Sequence, residues 1–206
     1  ARTSLELQNM INKIITFENR SYNDSAIFSA DRSSLFDQLS NQMIKFLPND
    51  WIVETAYIND LDLELAKTTL INSIESGVSL TNFFGHSGPY TWSFEHLFDN
   101  DDVSLLNNLN KPSMINQFGC WGTYHVMPRY NTMAHGLMGL ENKGAVSVLG
   151  ASTLTDSSHE SMLGNYLIPL LTQVNMPTGQ AIHQAKTKLS KSHPDYLDVI
   201  LGWTLL

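Results

Sequence analysis

Short apolar runs alternate with segments of helical periodicity along most of the chain. Five runs of the kind that a buried strand forms cover residues 25–30, 51–58, 78–84, 113–120 and 144–151. Apolar residues recur at helical spacing over residues 7–18, 35–46, 61–76, 133–140, 160–171 and 178–189. Such an alternation predicts an α/β fold, in which a mostly parallel sheet is covered by helices on both faces.

Polar residues indicate where several of these segments begin and end. Thr3 and Glu6 have the spacing of a capping box at the start of the first helix. Asp60 is a candidate N-cap for the third helix, and Gly77 is expected to end it. Residues 90–111 are polar and without a sustained period, so we expect a long surface connection with at most one helical turn.

The length and the two ends of the chain bear on its domain organisation. The apolar run over residues 199–205 predicts a strand cut short, and the first residue is not Met, so we expect a piece of a longer protein. A length of 206 residues suits one domain. We therefore predict a single domain over residues 1–206, with a leading helix over 1–20 and a core over 21–206, flanked by other domains of the same protein.

Composition narrows the classes of function. A net charge of -8 with few, dispersed Lys and Arg residues disfavours nucleic-acid binding. No stretch reaches the roughly 18 consecutive apolar residues that span a bilayer, so membrane insertion is not expected. The single cysteine, Cys120, excludes an internal disulfide framework and a Cys-rich zinc cage. Its thiol is therefore either a buried small hydrophobe or a reactive group.

Three residues with reactive side chains follow predicted strands. Asp31, His86 and Cys120 each stand where a strand gives way to its loop, and ligands of such sheets bind beyond the carboxyl ends of the strands. A free thiol with a pKa of about 8.5 is only slightly ionised at neutral pH, so a neighbouring imidazole that takes its proton would activate it. The structural alternatives are a buried thiol, a histidine that caps a strand end and an aspartate that forms a turn.

Three blocks of sequence resemble gingipain-like cysteine peptidases, which belong with the caspases to one fold group. Residues 82–88 (Asn-Phe-Phe-Gly-His-Ser-Gly) resemble the strand and histidine turn of that family, and residues 118–122 (Phe-Gly-Cys-Trp-Gly) its nucleophile strand. Residues 133–137 and 144–153 are similar to the helix and strand that follow the catalytic cysteine there. The resemblance implies a caspase-like three-layer α/β/α sandwich and cysteine endopeptidase activity on a peptide or protein substrate.

By this resemblance, Cys120 is the nucleophile that forms a thioester acyl-enzyme, and His86 is its general base. Asp31 matches the acidic residue that orients the histidine in the family. The oxyanion hole would combine the backbone N–H of Cys120 with that of Ser87 or Gly88. The family commonly has glycine after the histidine, so the serine here leaves open which amide serves. No metal or other cofactor is implied.

The resemblance also indicates residues that would contact the substrate. Gingipains prefer a basic residue before the cleaved bond and hold it with a carboxylate and an aromatic wall. Asp37 is the candidate carboxylate, and Ser157 and Ser158 occupy the position of the aromatic wall. Trp121, beside the nucleophile, is a further candidate contact. Cleavage after Arg or Lys is therefore an expectation that comes from the family.

Metal sites are weaker alternatives. The other histidines form neither His-Glu-x-x-His nor another known zinc spacing. Asp99, Asn100, Asp101 and Asp102 bring several hard oxygens together in the sequence, which makes them a candidate for structural calcium. The alternative for these four residues is a solvated loop.

Two other interpretations of function stay open beside the active peptidase. One is a catalytically silent caspase-fold interaction module of a larger secreted or surface protein. The other is a competent fold that is latent without a preceding subdomain or a processing step. The presence of both Cys120 and His86 after neighbouring predicted strands favours the enzyme. By resemblance, the location is secreted or cell-surface.

Overall fold

A computed structural model describes residues 1–20, 24–125 and 131–206. The strands are β1 (Ser25–Ala30), β2 (Ile52–Tyr57), β3 (Leu80–Phe84), β4 (Thr91–Trp92), β5 (Phe98–Asp99), β6 (Ser113–Phe118), β7 (Ala145–Ala151) and β8 (Trp203–Leu205). The helices are α1 (Ser4–Glu18), α2 (Ser34–Ile44), α3 (Leu63–Ser76), α4 (Asn100–Leu105), α5 (Met133–Gly139), α6 (Ser157–Leu171), α7 (Thr178–Ser192) and α8 (Leu197–Gly202). The five buried strands and six helices expected from the apolar pattern are present. None of the described helices is both long and apolar enough to cross a membrane.

One sheet organises the molecule, with the strand order β2-β1-β3-β6-β7-β8. The five strands from β2 to β7 in this order run parallel, and β8 pairs antiparallel with β7. Helices cover both faces of this sheet, so the predicted three-layer α/β architecture is confirmed. Because Ala30 pairs with Phe84 and Phe84 pairs with Phe118, the carboxyl ends of three neighbouring strands lie at the same edge.

Each face of the sheet has its own apolar core. Phe84 and Phe118 pack on one face with α2, α6 and α7. Phe83 and Ile115 pack on the other face with α3 and α5. Neighbours such as Phe83 and Phe84 divide between the faces because strand side chains alternate in direction. A strand buried on both sides is therefore apolar at consecutive positions, which explains the unbroken runs in the sequence.

Residues 90–111 are not the surface connection that their polarity predicted. Trp92 and Phe98 of the antiparallel β4–β5 pair are fully buried in the second core. Trp92 stacks on Phe83 with 4.8 Å between ring centroids, and its indole N–H donates to Gln117 Oε1 at 2.7 Å. A few aromatic side chains keep this segment packed on the core despite its polar residues, because each of them buries a large apolar area.

The acidic residues of this segment form the start of a helix. The Asp99 carboxylate caps α4 by accepting from the backbone N–H groups of Asp101 and Asp102, and the Asp102 side chain accepts in return from the Asp99 N–H. Asp102 also forms an ion pair with Lys67 at 2.7 Å. These carboxylates are thus used in hydrogen bonds and an ion pair. Across the described residues, no group of three or more His, Cys, Asp or Glu side chains could hold a metal ion.

Two ends of elements differ from the sequence-based expectation. Asp62, rather than Asp60, caps α3 by accepting from the Leu65 N–H at 2.8 Å. Residues 199–205, expected as one strand, form the end of α8 and then β8. The strand begins at Trp203, which is buried. Asp60 and Asp62 are the same residue type and equally suitable N-caps, so the sequence alone does not choose between them.

Helix α1 presents polar side chains to the rest of the molecule. Thr3 caps it, as predicted, by accepting from the Glu6 N–H at 3.1 Å. Lys13 is buried, and its Nζ donates to the carbonyls of Leu137 and Met138 at 3.0 and 2.7 Å. The apolar residues at helical spacing point outward and are exposed, namely Leu7, Ile11, Ile14 and Ile15. The predicted start of the core falls on residues 21–23, which lie outside the described residues.

Candidate active site

His86 lies in the turn that follows β3. The Gly85 N–H donates to the Phe118 carbonyl at 2.9 Å, and the Asp31 N–H donates to the Phe84 carbonyl at 3.0 Å. A Cβ at Gly85 would collide with the Asp31 side chain, so only glycine permits this close approach. The turn is therefore tied to both neighbouring strands and delivers His86 to the carboxyl edge of the sheet.

The imidazole of His86 lies between two aromatic rings. Phe36 of α2 contacts it edge-on, with centroids 5.3 Å apart and the planes at 88°. Phe94 stacks on it, with centroids 4.9 Å apart and the planes at 29°. Phe94 is 82% exposed, and His86 is exposed as well. Packing thus orients the ring while the side chain stays accessible to solvent.

Asp31 is buried beneath this turn and holds its main chain. Its Oδ1 accepts from the Ser93 hydroxyl at 2.6 Å and from the Arg32 N–H at 2.7 Å. Its Oδ2 accepts from the backbone N–H of His86 at 3.2 Å. Since Ser93 directly precedes Phe94, the same carboxylate supports both the histidine and the ring that stacks on it. Asp31 thus contacts the histidine through the main chain and through this loop.

Cys120 follows Gly119 at the end of β6. A Cβ at Gly119 would collide with the Ser87 hydroxyl and the Gly85 carbonyl, so this turn packs closely on the His86 turn. The Cys120 thiol is half-buried. Its sulfur lies 3.5 Å from the backbone N, 3.8 Å from Oγ1 and 3.7 Å from the carbonyl of Thr155, in the β7–α6 loop. The sulfur is therefore not sealed in either core.

The chain turns sharply after Cys120. Trp121 has a φ of 63°, a left-handed conformation that is unusual for a bulky residue and costs about 1–3 kcal/mol. Its N–H donates to the Thr153 carbonyl at 3.0 Å, and its ring contacts that of Tyr124 with centroids 4.8 Å apart. Contacts with the loop after β7 and with Tyr124 therefore hold a strained residue next to the thiol, and the half-buried indole remains accessible.

The His86 and Cys120 turns lie side by side. Phe84 of β3 pairs with Phe118 of β6, and His86 and Cys120 each stand two residues further along these parallel strands. Neighbouring strands are about 4.8 Å apart. The Ser87 hydroxyl connects the turns directly by donating to the Cys120 carbonyl at 2.7 Å. Two residues distant in sequence are thus brought to adjacent positions at one edge of the sheet.

The two amides that the sequence left open for an oxyanion hole differ in their hydrogen bonds. The Gly88 N–H donates to the Thr91 carbonyl at 3.0 Å, so it is already engaged. Ser87 is bridged to Trp92 in an antiparallel pair whose hydrogen bonds are made by the flanking residues, so the Ser87 N–H takes no part in them. This difference favours Ser87 as the amide that would act beside that of Cys120.

The predicted substrate contacts lie on two sides of this pair. Asp37, in the first turn of α2, accepts from Asn59 Nδ2 at 2.7 Å beyond the end of β2. Burial raises the pKa of the Asp37 carboxyl, the Asn59 bond opposes the rise, and Asp60 adds to it. Ser157 and Ser158 begin α6, which follows β7. The contacts of Asp37 therefore point toward the β2 edge, away from the serines.

Four residues around the site were not singled out from the sequence: Phe36, Phe94, Thr155 and Glu160. Glu160, in the first turn of α6, is only 2% exposed and accepts from the Thr155 hydroxyl at 2.9 Å. Burial raises the pKa of its carboxyl to about 8, against the opposing effect of its hydrogen bonds. An acidic residue in a first helical turn is ordinarily exposed and complements the helix dipole. No local pattern therefore marked this one as buried.

Comparison with known proteins identifies the family of the chain. The sequence profile of peptidase family C25 matches residues 1–206. The chain belongs to peptidase family C25. The resemblance to gingipain-like peptidases is thereby confirmed at the level of the family. A comparison with curated proteins finds no match.

Solved structures share the fold of this C25 chain. The crystal structure of the Arg-specific cysteine proteinase gingipain R has a TM-score of 0.82 at 15% identity, over 100% of this chain and 52% of that one. A complex of the pro- and mature domains of RgpB from Porphyromonas gingivalis has a TM-score of 0.80 at 14% identity, over 100% and 53%. A structure described as a protease has a TM-score of 0.75 at 13% identity, again over 100% and 53%. The fold is thus gingipain-like and caspase-like, and the chain spans about half the length of these solved chains.

Proposed function

We propose that this C25 family member is a cysteine endopeptidase in which Cys120 is the nucleophile and His86 the general base. The observation that carries the proposal is the adjacency of the two turns, which the Ser87 hydroxyl joins to the Cys120 carbonyl at 2.7 Å. The half-buried thiol and the exposed imidazole stand at the carboxyl edge of the sheet. Ligands of parallel α/β sheets bind at this edge.

The reaction follows from the chemistry of the two side chains. His86 takes the thiol proton of Cys120, and the thiolate attacks the carbonyl carbon of the scissile bond. As the tetrahedral intermediate collapses, His86 gives the proton to the leaving amine, the C–N bond breaks and a thioester remains. Water then attacks the thioester while His86 takes its proton. Return of that proton to the departing sulfur releases the acid product and restores the enzyme.

The main chain and Asp31 supply the supporting roles. The backbone N–H groups of Cys120 and Ser87 would donate to the oxyanion that develops during attack, and one such donor is worth about 10²–10³ in rate. Asp31 would orient the base through the His86 amide and through Ser93, since these are the groups that its carboxylate contacts. We therefore assign Asp31 an orienting role that acts through the main chain.

Peptides with a basic residue before the cleaved bond are the first substrate class to test. The structurally similar gingipain R is described as Arg specific. Asp37 remains the candidate carboxylate, and Trp121, Ser157 and Ser158 remain candidate walls of the subsite. Fluorogenic peptides that carry Arg, Lys or Asp at that position test the preference, and Cys120→Ala provides the inactive control.

We further propose that residues 1–206 act as one catalytic domain of a longer, secreted or cell-surface protein. The two cores lie on the two faces of a single sheet, which supports one folding unit. The solved relatives are about twice as long, which supports flanking domains. Detection of the native protein in fractionated cultures, with its mass, would test both parts of this proposal.

Labelling of the single cysteine with iodoacetamide tests the Cys–His pair without knowledge of a substrate. We expect His86→Ala to lower the labelling rate of Cys120 about tenfold at neutral pH, since the imidazole no longer takes the thiol proton. His183→Ala, an exposed histidine of α7, is the matched control and should label like the wild type. Slow labelling at the same rate in the wild type and His86→Ala would instead favour the silent interaction module. Fast labelling without peptide hydrolysis would favour the latent form.

A further inference from the structure

The proposed reaction leaves a buried carboxyl close to the nucleophile unused. Glu160 is 2% exposed. Its Oε1 accepts from the Thr155 hydroxyl at 2.9 Å and from the Trp203 indole N–H at 3.4 Å. The nearby backbone N–H of Gly119 lowers the pKa of this carboxyl, against the effect of burial. Because burial of a carboxyl is costly without partners, this convergence of donors indicates a specific role.

The partners of Glu160 flank Cys120 on two sides. Gly119 directly precedes Cys120 in the chain. Thr155 approaches the sulfur with its backbone N at 3.5 Å and its hydroxyl oxygen at 3.8 Å. Glu160 therefore reaches the nucleophile through one main-chain neighbour and one side-chain neighbour.

We propose that Glu160 is a positioning residue that directs the Thr155 hydroxyl and the Gly119 amide, and through them sets the reactivity of the Cys120 thiolate. The inference rests on the proposed function only in taking Cys120 to be a reactive thiol. Because Glu160 lies in α6, its carboxyl acts on the sulfur from the α6 side, through the Thr155 hydroxyl.

The Thr155 hydroxyl provides the link because it has one proton and two acceptors within reach, Glu160 Oε1 and the Cys120 sulfur. While Glu160 is protonated, its own O–H can donate to the hydroxyl oxygen, and the hydroxyl proton is free for the thiolate. Once Glu160 is ionised, its carboxylate accepts the Thr155 hydroxyl proton and adds a negative charge on the Thr155 side of the sulfur. Both effects disfavour the thiolate.

The surroundings of Glu160 keep the protonated form populated at neutral pH. Burial raises the pKa of its carboxyl to about 8, and Asp198 of α8 adds to the rise. Asp198 is itself paired with His159 at 2.9 Å. On α7, Lys186 Nζ donates to the Trp203 carbonyl at 2.5 Å. The Cys120 thiol follows the end of β6. The charge state of Glu160 therefore changes within a pH range in which a peptidase can be assayed.

The test is the pH dependence of iodoacetamide labelling between about pH 6 and about pH 10. In the wild type we expect the rate to depart from a single thiol ionisation near pH 8, where Glu160 ionises. Glu160→Gln keeps the shape of the protonated acid but cannot ionise. It should therefore follow a single ionisation and label about threefold to tenfold faster than the wild type above that pH.

Two further variants make the result specific. Thr155→Val retains Glu160 but removes the hydroxyl, so it should label about fivefold more slowly at neutral pH, as expected for one lost hydrogen bond. Glu64→Gln, the same change at an exposed residue in the first turn of α3, is the matched control and should leave the profile unchanged.

Identical profiles for the wild type and a folded Glu160→Gln variant would overturn the proposal. If Glu160→Gln does not fold, Thr155→Val decides: a normal rate in that variant rejects the link, and a reduced rate supports it. Parallel labelling of His86→Ala separates this failure from that of the proposed function. If the labelling rate is the same in His86→Ala and the wild type, the Cys–His dyad is rejected. The comparison of the wild type with Glu160→Gln does not depend on the dyad, because it follows the ionisation of the thiol whichever group takes its proton.

Discussion

Lys13 and Glu160 are both buried ionisable side chains, yet they lie on opposite faces of the sheet and contact different kinds of group. Lys13 of α1 donates to the Leu137 and Met138 carbonyls in the last turn of α5. Glu160 of α6 accepts from Thr155, which also contacts the Cys120 thiol. Equal burial therefore does not imply an equal role. The neighbours make Lys13 a structural cap and Glu160 a candidate for control of the site.

Burial acts on the two groups in opposite directions. It lowers the pKa of the Lys13 ammonium from 10.5 to about 7. It raises the pKa of the Glu160 carboxyl from 4.5 to about 8. In both cases the charged form is disfavoured because the interior solvates it poorly. The comparison can be tested by variants that affect only one of the two regions, from the largest expected effect to the smallest.

The largest effect is expected at Cys120, the proposed nucleophile. Cys120→Ala should lower peptide hydrolysis by about 10³-fold or more, because the covalent step is lost. Lys13→Met, on the other face, should keep the specific activity of the folded protein. Turnover of a fluorogenic peptide, normalised to folded protein by circular dichroism, measures both. A comparable loss in Lys13→Met would show that the two regions are not separate.

The second effect is an opposite dependence of stability on pH. The folded state binds the Glu160 proton more tightly than the unfolded chain does, so this contribution is complete below pH 4.5 and is lost as the pH rises through about 8. The folded state binds the Lys13 proton more weakly, so stability rises as the pH increases from about 7 to 10.5. Each contribution amounts to about 1.4 kcal/mol per unit of pKa shift.

Urea unfolding at a series of pH values tests this second prediction. Glu160→Gln should remove the decline between pH 4.5 and about 8, because the amide does not titrate. Lys13→Met should remove the rise above about pH 7. Curves for both variants that run parallel to the wild type would contradict the assigned pKa directions.

A third effect concerns the helix end that Lys13 caps. Lys13→Ala should destabilise the fold by about 2–4 kcal/mol, since it leaves a cavity and two carbonyls without their donor. Asn12→Ala, at the exposed neighbouring position, should cost less than about 0.5 kcal/mol. Equal unfolding midpoints for the two variants would show that the buried ammonium contributes nothing.

The smallest expected effect separates the residues that contact His86 from those that contact Cys120. Phe94→Ala removes the exposed ring that stacks on the His86 imidazole. We expect about a fivefold loss in kcat/KM, because the imidazole is less well oriented, and an unchanged unfolding midpoint. Phe94→Leu retains apolar contact and should recover part of the loss. An unchanged rate in Phe94→Ala would assign the orientation of the ring to Phe36 alone.

Much of the fold could be predicted from the sequence because the patterns that specify strands and helices are local. Strands buried on both faces must be apolar at consecutive positions, and helices packed on one side must repeat their apolar residues at helical spacing. Residues 25–30 match β1 at both ends for this reason. The positions of Asp31, His86 and Cys120 after strands were likewise visible in the sequence, although their catalytic roles remain proposals.

The parts that could not be predicted depend on partners distant in sequence. Residues 90–111 looked like a surface loop, but Trp92 finds Phe83 and Gln117 in other strands. Helix α1 has apolar residues at helical spacing, yet it is Lys13 that faces inward, because two carbonyls of α5 accept from it.

The sequence by itself determined the alternation of strands and helices, the class of fold, and which reactive side chains stand at strand ends. Only the tertiary structure decided that the turn of Ser87 touches that of Cys120, that Asp31 holds the histidine through its main chain, and that the Thr155 hydroxyl contacts both Glu160 and the thiol. The physical reason is the range of the interactions. Periodicity and capping act over a few residues, whereas burial and hydrogen bonds between loops exist only after distant strands have paired.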